Sequence, residues 1–191
     1  MHGAFAAQAA ETLRRALDEV IDGMRTGRWS VDSLEKTEKT YIGTKVEILF
    51  KFDFELPDGK TLDTSIQGEE VDIKCTVLKD WMIPREAVGK LCLLVRIDDN
   101  KSRFWIGLVR ASPDLLREAP NRDGKLSISS HGKKSIRWLV KEGLLPSNFL
   151  AQLDEDTRRR IFSHSSGQLR VTELFRLVQG KIVPRVSRQQ V

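Results

Sequence analysis

The stretch Glu70-Val71-Asp72-Ile73-Lys74-Cys75-Thr76-Val77-Leu78 decides the fold class. Successive side chains of a strand point to opposite faces, so Val71, Ile73 and Cys75 share one face and Asp72 and Lys74 the other. That pattern predicts a strand with one face on a core. Toward the C-terminus, KLCLLVRID (90–98) and RFWIGLVRAS (103–112) are two further β-rich runs, separated by the turn-forming Asp98-Asp99-Asn100-Lys101. Toward the N-terminus, KVEILFKFDFEL (45–56) alternates in strand fashion, and Pro57-Asp58-Gly59-Lys60 supplies a turn with a hairpin-like return. A sheet of at least four strands is expected.

Helices are expected around it. Leu13, Leu17, Val20, Ile21 and Met24 recur at helical spacing between residues 10 and 24, with Arg14, Arg15, Asp18 and Glu19 between them. Residues 27–40 read as loop or short helix, anchored by Trp29, Val31 and Leu34. After Pro120 the character changes: NRDGKLSISSHGKK (121–134) reads as a polar connector, and helices are expected over 133–145, 148–162 and 169–179, punctuated by Pro146, by His164-Ser165-Ser166-Gly167, and by Gly180 and Pro184. Helix, Gly-containing turn, helix is compatible with a helix-turn-helix, although any αα-hairpin shares the outline. The reading is therefore an α/β (α+β) protein: a mixed sheet flanked by helices over residues 1–140, then a helical basic segment over 141–191.

Composition narrows the function classes. Hydrophobic residues at 40% and charged residues at 31% describe a soluble globular chain, and no apolar run approaches the roughly 20 residues of a membrane span. The start MHGAFAAQAA lacks the basic and apolar regions of an export signal, which predicts a cytoplasmic protein. Cys75 and Cys92 sit in apolar runs as small buried thiols, and His2, His131 and His164 lack the Cys/His spacing of a zinc site. Redox and zinc-hydrolase readings have no support. The net charge of +5 is unevenly spread: residues 121–191 hold 14 Lys/Arg against 6 Asp/Glu, a surplus of +8, whereas residues 1–120 hold 18 against 21, or −3. An acidic front joined to a basic tail suits a metal-binding site delivered to a polyanion.

Hydrolysis of a phosphodiester with a divalent metal needs carboxylates to hold the ion and a positive group or base near the attacking water. Asp72 and Lys74, on one face of one strand, supply both, with Mg²⁺ held by oxygens as the natural third charge. The pattern D-x-K occurs four times, at Asp58/Lys60, Asp72/Lys74, Asp99/Lys101 and Asp123/Lys125. Three of these have Gly or Asn in the middle and read as solvated turns; Asp72-Ile73-Lys74 alone lies in an apolar alternating strand. On spacing alone that pair reads equally well as a surface salt bridge. Two more acids favour a site. Asp63 precedes Asp72 by nine positions, room for a turn through Gln67-Gly68, and Glu47 lies in the preceding strand-like run, where Val46 and Ile48 would face the core. Taken singly, each of these acids reads as a solvated surface group.

Among the basic residues, Lys79 and Arg85 lie just beyond the catalytic strand and are candidate phosphate contacts. His131-Gly132-Lys133-Lys134 precedes an expected helix carrying Arg137 and Lys141, offering Lys133, Lys134 and Arg137 to DNA. Arg158-Arg159-Arg160 after Asp154-Glu155-Asp156 reads as self-neutralising, and Trp29, Trp81, Trp105 and Trp138 as core or rim residues.

The order Glu47, Asp63, Asp72-Ile73-Lys74, then Cys75-Thr76, together with PNRDGK (120–125) and SGQLRVTELFRLVQGKIVPR (166–185), resembles the NaeI family of type II restriction endonucleases, within the PD-(D/E)xK nucleases, over about residues 30–185. The resemblance implies a restriction-endonuclease-like core and Mg²⁺-dependent hydrolysis of double-stranded DNA at a palindromic site by a homodimer, leaving 5′-phosphate ends. It also implies Glu47, Asp63 and Asp72 as metal-site acids and Lys74 as the water-polarising lysine. Family members continue into a second DNA-binding domain that takes an effector copy of the target, and Val191 would fall early in it. Two rivals are weighed: a MutH-like enzyme that nicks one strand, separable by product topology, and a non-catalytic helix-turn-helix regulator that binds DNA with or without Mg²⁺.

Overall fold

The computed structural model describes residues 2–183. In chain order the elements are α1 (His2–Ile21), α2 (Gly23–Thr26), α3 (Lys36–Asp53), β1 (Thr64–Ile66), β2 (Glu69–Thr76), β3 (Met82–Ile83), β4 (Leu91–Asp98), β5 (Arg103–Arg110), β6 (Leu126–Ser127), α4 (Ser130–Lys134), β7 (Arg137–Leu144), α5 (Glu155–Phe162) and α6 (Gly167–Leu177). Five strands form one mixed sheet in the order β1-β2-β4-β5-β7, and β3 pairs with β6 beside it. Only the β2–β4 pair is parallel in the large sheet, with Asp72 opposite Cys92 and Lys74 opposite Leu94. The expected mixed sheet flanked by helices is present.

The sheet's two faces follow the alternation of its strands. Val71, Ile73, Leu93, Val95 and Ile97 pack with Leu13 and Leu17 of α1 and Ile42, Val46 and Phe50 of α3. Cys92, Leu94 and Val109 pack on the other face against Trp81, Ile83, Leu116, Ile128 and Ile136. A third cluster joins α5 and α6 to α2 through Met24, Leu150, Leu153, Ile161 and Leu174. Arg170 of α6 fastens that contact, donating to the carbonyls of Met24 at 2.9 Å and Arg25 at 2.7 Å and so satisfying acceptors at the end of α2.

Several expectations are corrected. Residues 45–53 are helical, not a strand. Alternation through Val46, Ile48, Phe50 and Phe52 contains the i, i+4 set Ile42, Val46, Phe50, and that set is what the core takes. Ile48 at 49% and Phe52 at 79% exposure face outward, so Ile48 is not the core residue the strand reading required. A capping box between Glu35 and Glu38 starts this helix at Lys36, inside the stretch read as loop or short helix. Residues 133–145 form no long helix: α4 closes after one turn, and β7 pairs with β5 from Arg137 to Leu144, running through the boundary expected at residue 140. Two glycines permit this pairing, since a Cβ at Gly107 would come within 2.4 Å of Ile136 Cγ2 and one at Gly143 within 2.6 Å of the Phe104 ring. The connector 121–134 holds β6 and α4 and contributes Leu126 and Ile128 to the core. Over 148–162 only Glu155–Phe162 is helical, because the Asn148 carboxamide accepts from Leu150 N and Ala151 N and the Asp154 carboxylate from Thr157 N, which holds the chain in a turn before a capped start. Pro184 and the end of the stretch 166–185 lie outside the described residues.

Candidate active site

β1 is short and ends opposite Val71, where Thr64 pairs with it. The next N–H of β2 on that side, Ile73 N, therefore has no strand partner and donates to Asp63 Oδ2 at 2.7 Å. The return through Gln67-Gly68, both at positive φ, brings Asp63 back alongside β2 as the sequence predicts. Asp72 and Lys74 project together from the same face of β2. Lys74 Nζ lies 2.9 Å from Asp72 Oδ1, 3.5 Å from Asp63 Oδ2 and 3.3 Å from the Ile73 carbonyl. The Asp72 side chain is 4% exposed, and its Oδ2 is buried without a hydrogen-bond donor.

Glu47 reaches the same place from α3, which packs against β2. It lines a cleft of about 680 Å³ with Ile73, Lys74, Cys75, Thr76, Asp80 and, from the opposite wall, Asn121, Asp123 and Lys125. Burial, then the neighbouring Asp63, raises the Glu47 carboxyl above the usual range, against the pull of Lys74 and Lys51. Burial likewise raises Asp72, opposed by its hydrogen bond and ion pair with Lys74. Lys74 is held charged: burial acts to lower its pKa, but Asp72 and Asp63 together push it up. The Cys92 thiol, opposite Asp72, is pushed up to about 12 by burial and by that carboxylate, and burial alone raises Cys75 to about 12. Neither is a thiolate at neutral pH, which removes cysteine nucleophile chemistry from the cleft.

Among the described residues no three acidic, histidine or cysteine side chains are drawn together as a closed metal cage. The donors nonetheless fit a hard divalent cation. Asp72 Oδ2 is a buried carboxylate oxygen with no hydrogen bond, Asp63 has Oδ1 to offer while Oδ2 is taken by Ile73 N, and Glu47 stands beside them. Mg²⁺ is characteristically held by one or two carboxylates plus water and substrate phosphate, without a full protein cage.

The structure thus gathers Glu47, Asp63, Asp72 and Lys74. The five expected DNA contacts lie elsewhere: none of Lys79, Arg85, Lys133, Lys134 and Arg137 lines the cleft. Lys79 and Arg85 are exposed just past β2, and Lys133 sits 2.5 Å from Asp80 on the cleft wall. Lys134 ends α4 and Arg137 begins β7, both exposed, so no helix carries Arg137 with Lys141. Besides Lys74, the cations that do line the cleft are Lys36 and Lys39 on α3 and Lys125. A helical reading of 36–53 would have found the first: Lys36, Thr40, Gly43 and Glu47 fall on one helical stripe. The Arg158–Arg160 block is largely tied up, Arg159 with Glu155 and Asp156 and Arg160 with Glu173.

A family model described as restriction endonuclease NaeI matches residues 4–191. The type II restriction enzyme NaeI of Lentzea aerocolonigenes is 40% identical over 186 residues, covering 93% of this chain. The chain spans 58% of that relative's length.

Proposed function

This chain belongs to the restriction endonuclease NaeI family, and on that basis we propose that it hydrolyses phosphodiester bonds of double-stranded DNA at a specific palindromic site, with Mg²⁺. The observation that carries the proposal is the contact of Asp63 and Asp72 with Lys74, which lines a cleft together with Glu47. The five-stranded mixed sheet with helices on its face accords with a restriction-endonuclease-like core.

Asp72 Oδ2, Asp63 Oδ1 and Glu47 would hold the metal, which when bound supplies positive charge at the phosphate and lowers the pKa of a bound water. Lys74, kept protonated by Asp72 and Asp63, orients the attacking water and faces the negative charge that grows on the phosphoryl oxygens. Glu47, with the carboxylate oxygen that would not be on the metal, accepts the water proton. The water oxygen bonds to phosphorus, the P–O3′ bond breaks, O3′ takes a proton from solvent to leave as a 3′-hydroxyl, and the 5′-phosphate remains on the other product.

Lys36, Lys39 and Lys125 hold neighbouring phosphates along the cleft walls, and Lys79, Arg85, Lys133, Lys134 and Arg137 extend the contact outside it. The sheet-bearing part of the chain is the catalytic unit, and the helical basic segment after β7 adds affinity for the DNA backbone. A palindrome is cut by two symmetry-related sites, so the working form is a homodimer. Among the described residues no helix is long and apolar enough to cross a membrane; a DNA substrate puts the reaction in the cytoplasm. The test is incubation of the purified chain with DNA rich in candidate palindromes, in Mg²⁺ or EDTA. Discrete fragments in Mg²⁺ alone support the reading, and intact DNA in both refutes it.

A further inference from the structure

Asp63 stands in a loop, not in a strand, and its placement needs a cause. The loop from Pro57 to Thr64 closes on itself: Thr64 Oγ1 donates to the Pro57 carbonyl at 2.6 Å and Ser65 N donates to the same carbonyl at 3.2 Å. Its turn is tight enough that a Cβ at Gly59 would lie 2.3 Å from the Leu62 carbonyl oxygen. Three successive N–H groups point inward, and one carboxylate receives them all. Glu70 accepts from Lys60 N at 2.8 Å, Thr61 N at 2.9 Å and Leu62 N at 2.8 Å, and from the Thr61 hydroxyl at 3.0 Å.

Glu70 lies on β2 at i−2 from Asp72 and i−4 from Lys74, on the same face of the strand. The residue after the last clamped N–H is Asp63. One strand therefore carries two site residues directly and grips the loop that presents a third.

We propose that Glu70 is a positioning residue that fixes Asp63 against Asp72 and Lys74 by clamping the backbone of residues 60–62. It is no ligand itself, because its Oε2 already takes three donors and its Oε1 a fourth. A glutamine at this position keeps the size but offers one acceptor oxygen and turns an NH₂ toward the loop's N–H groups, so the clamp opens. This inference rests on the metal-dependent reading of the site.

The experiment compares the wild-type chain, Glu70→Gln, Asp63→Ala and the double variant. Mn²⁺ binding without DNA, the Mg²⁺ dependence of cleavage, and urea unfolding are measured for each. Gly59→Ala, which disturbs the same loop from inside, is carried as a second variant. The proposal expects Glu70→Gln and Gly59→Ala to weaken Mn²⁺ binding and raise the half-saturating Mg²⁺ roughly tenfold, the scale seen when a group orienting a metal ligand is removed. Cleavage should recover at high Mg²⁺, and Glu70→Gln should add nothing in the Asp63→Ala background, the sign of a shared cause. Wild-type Mn²⁺ binding and Mg²⁺ dependence in Glu70→Gln, or an undiminished effect on top of Asp63→Ala, overturns the positioning role while leaving the site intact. A wild-type chain that neither binds Mn²⁺ nor cuts DNA overturns the metal-dependent reading, and this proposal with it.

Discussion

Asp63 Oδ2 accepts the Ile73 N–H at 2.7 Å, so a carboxylate takes the place of a missing strand partner one residue from Asp72 and one from Lys74. Backbone satisfaction and site assembly are here one interaction. The same carboxylate stands 3.5 Å from Lys74 Nζ.

From this geometry, Asp63→Ala and Glu47→Ala should each raise the Mg²⁺ concentration needed for cleavage, roughly tenfold or more, as oxygen ligands leave a site of few carboxylates. A Mg²⁺ titration of cleavage checks it. Unchanged titration curves in both variants would remove these two acids from the site.

Lys36 and Lys39 line the cleft on the stripe of α3 that holds Glu47. Replacing both with alanine should weaken DNA binding evenly across sequences and reduce the slope of log affinity against log salt by about one per lysine. Binding is measured in Ca²⁺ from low to high salt. An unchanged slope would move the DNA off this wall.

The four D-x-K pairs now separate in a way that turn chemistry alone did not predict. Asp58 is exposed and pairs with Lys51 at 2.6 Å, and Asp123 is exposed in its turn. Asp99, expected in a solvated turn, instead meets Arg14 at 2.6 Å with side-chain exposures of 10% and 8%. Asp58→Ala and Asp123→Ala should leave cleavage near normal and stability within about 0.5 kcal/mol. Asp99→Ala should cost about 2 kcal/mol or more in urea unfolding, because Arg14 stays buried with a partner lost. Wild-type stability in Asp99→Ala would refute the pair's importance.

The same cluster gives a pH dependence. Asp18 lies 2.6 Å from Arg14 Nη2 as an ion pair without hydrogen-bond alignment, and burial, only partly opposed by Arg14 and reinforced by Asp99 and Glu19, raises its carboxyl from 3.8 to about 6. The folded chain then holds this proton more tightly than the unfolded chain, so its contribution is present below about pH 4 and is lost as pH rises through about 6. Asp18→Asn should abolish that loss, on the order of 1–3 kcal/mol between pH 4 and 7. Parallel stability curves for the two proteins over this range would contradict it.

How far the sequence could be read depended on which period a segment obeys. β2, β4 and β5 are β-rich runs bounded by turn residues, so the strands were legible although Cys92 to Val95 of β4 are buried in succession with both faces of the sheet covered. The shared face of Asp72 and Lys74 followed from i, i+2 spacing, and their choice over the other D-x-K pairs from strand context and the family resemblance. Residues 45–56 satisfied both periods, because every second step of an alternating run is an i, i+4 pair; the capping box at Glu35 and Glu38 was the overlooked tie-breaker. Glu47, read as a metal-site acid on a strand, lines the cleft from a helix instead, and Lys36 and Lys39 went unseen with it. β7 is an edge strand with Val140 its one buried residue among exposed and half-buried neighbours, so no alternation marked it. Glu70 carried no signal in one dimension, since its clamp depends on a loop eight to ten residues earlier.

The central claim is that Asp72 and Lys74 on β2 run metal-dependent hydrolysis of duplex DNA, and one plasmid assay tests it directly. Wild type, Asp72→Ala and Lys74→Ala are incubated with supercoiled DNA carrying cleavable sites, in Mg²⁺ and in EDTA, with DNA binding measured alongside. Linear product is expected from wild type in Mg²⁺ only, none from either variant, and DNA affinity within about tenfold in all three, since the lost groups serve chemistry and metal binding. Accumulating open circle from wild type would instead mark a nicking enzyme. Wild-type cleavage by Asp72→Ala or Lys74→Ala would contradict the account outright.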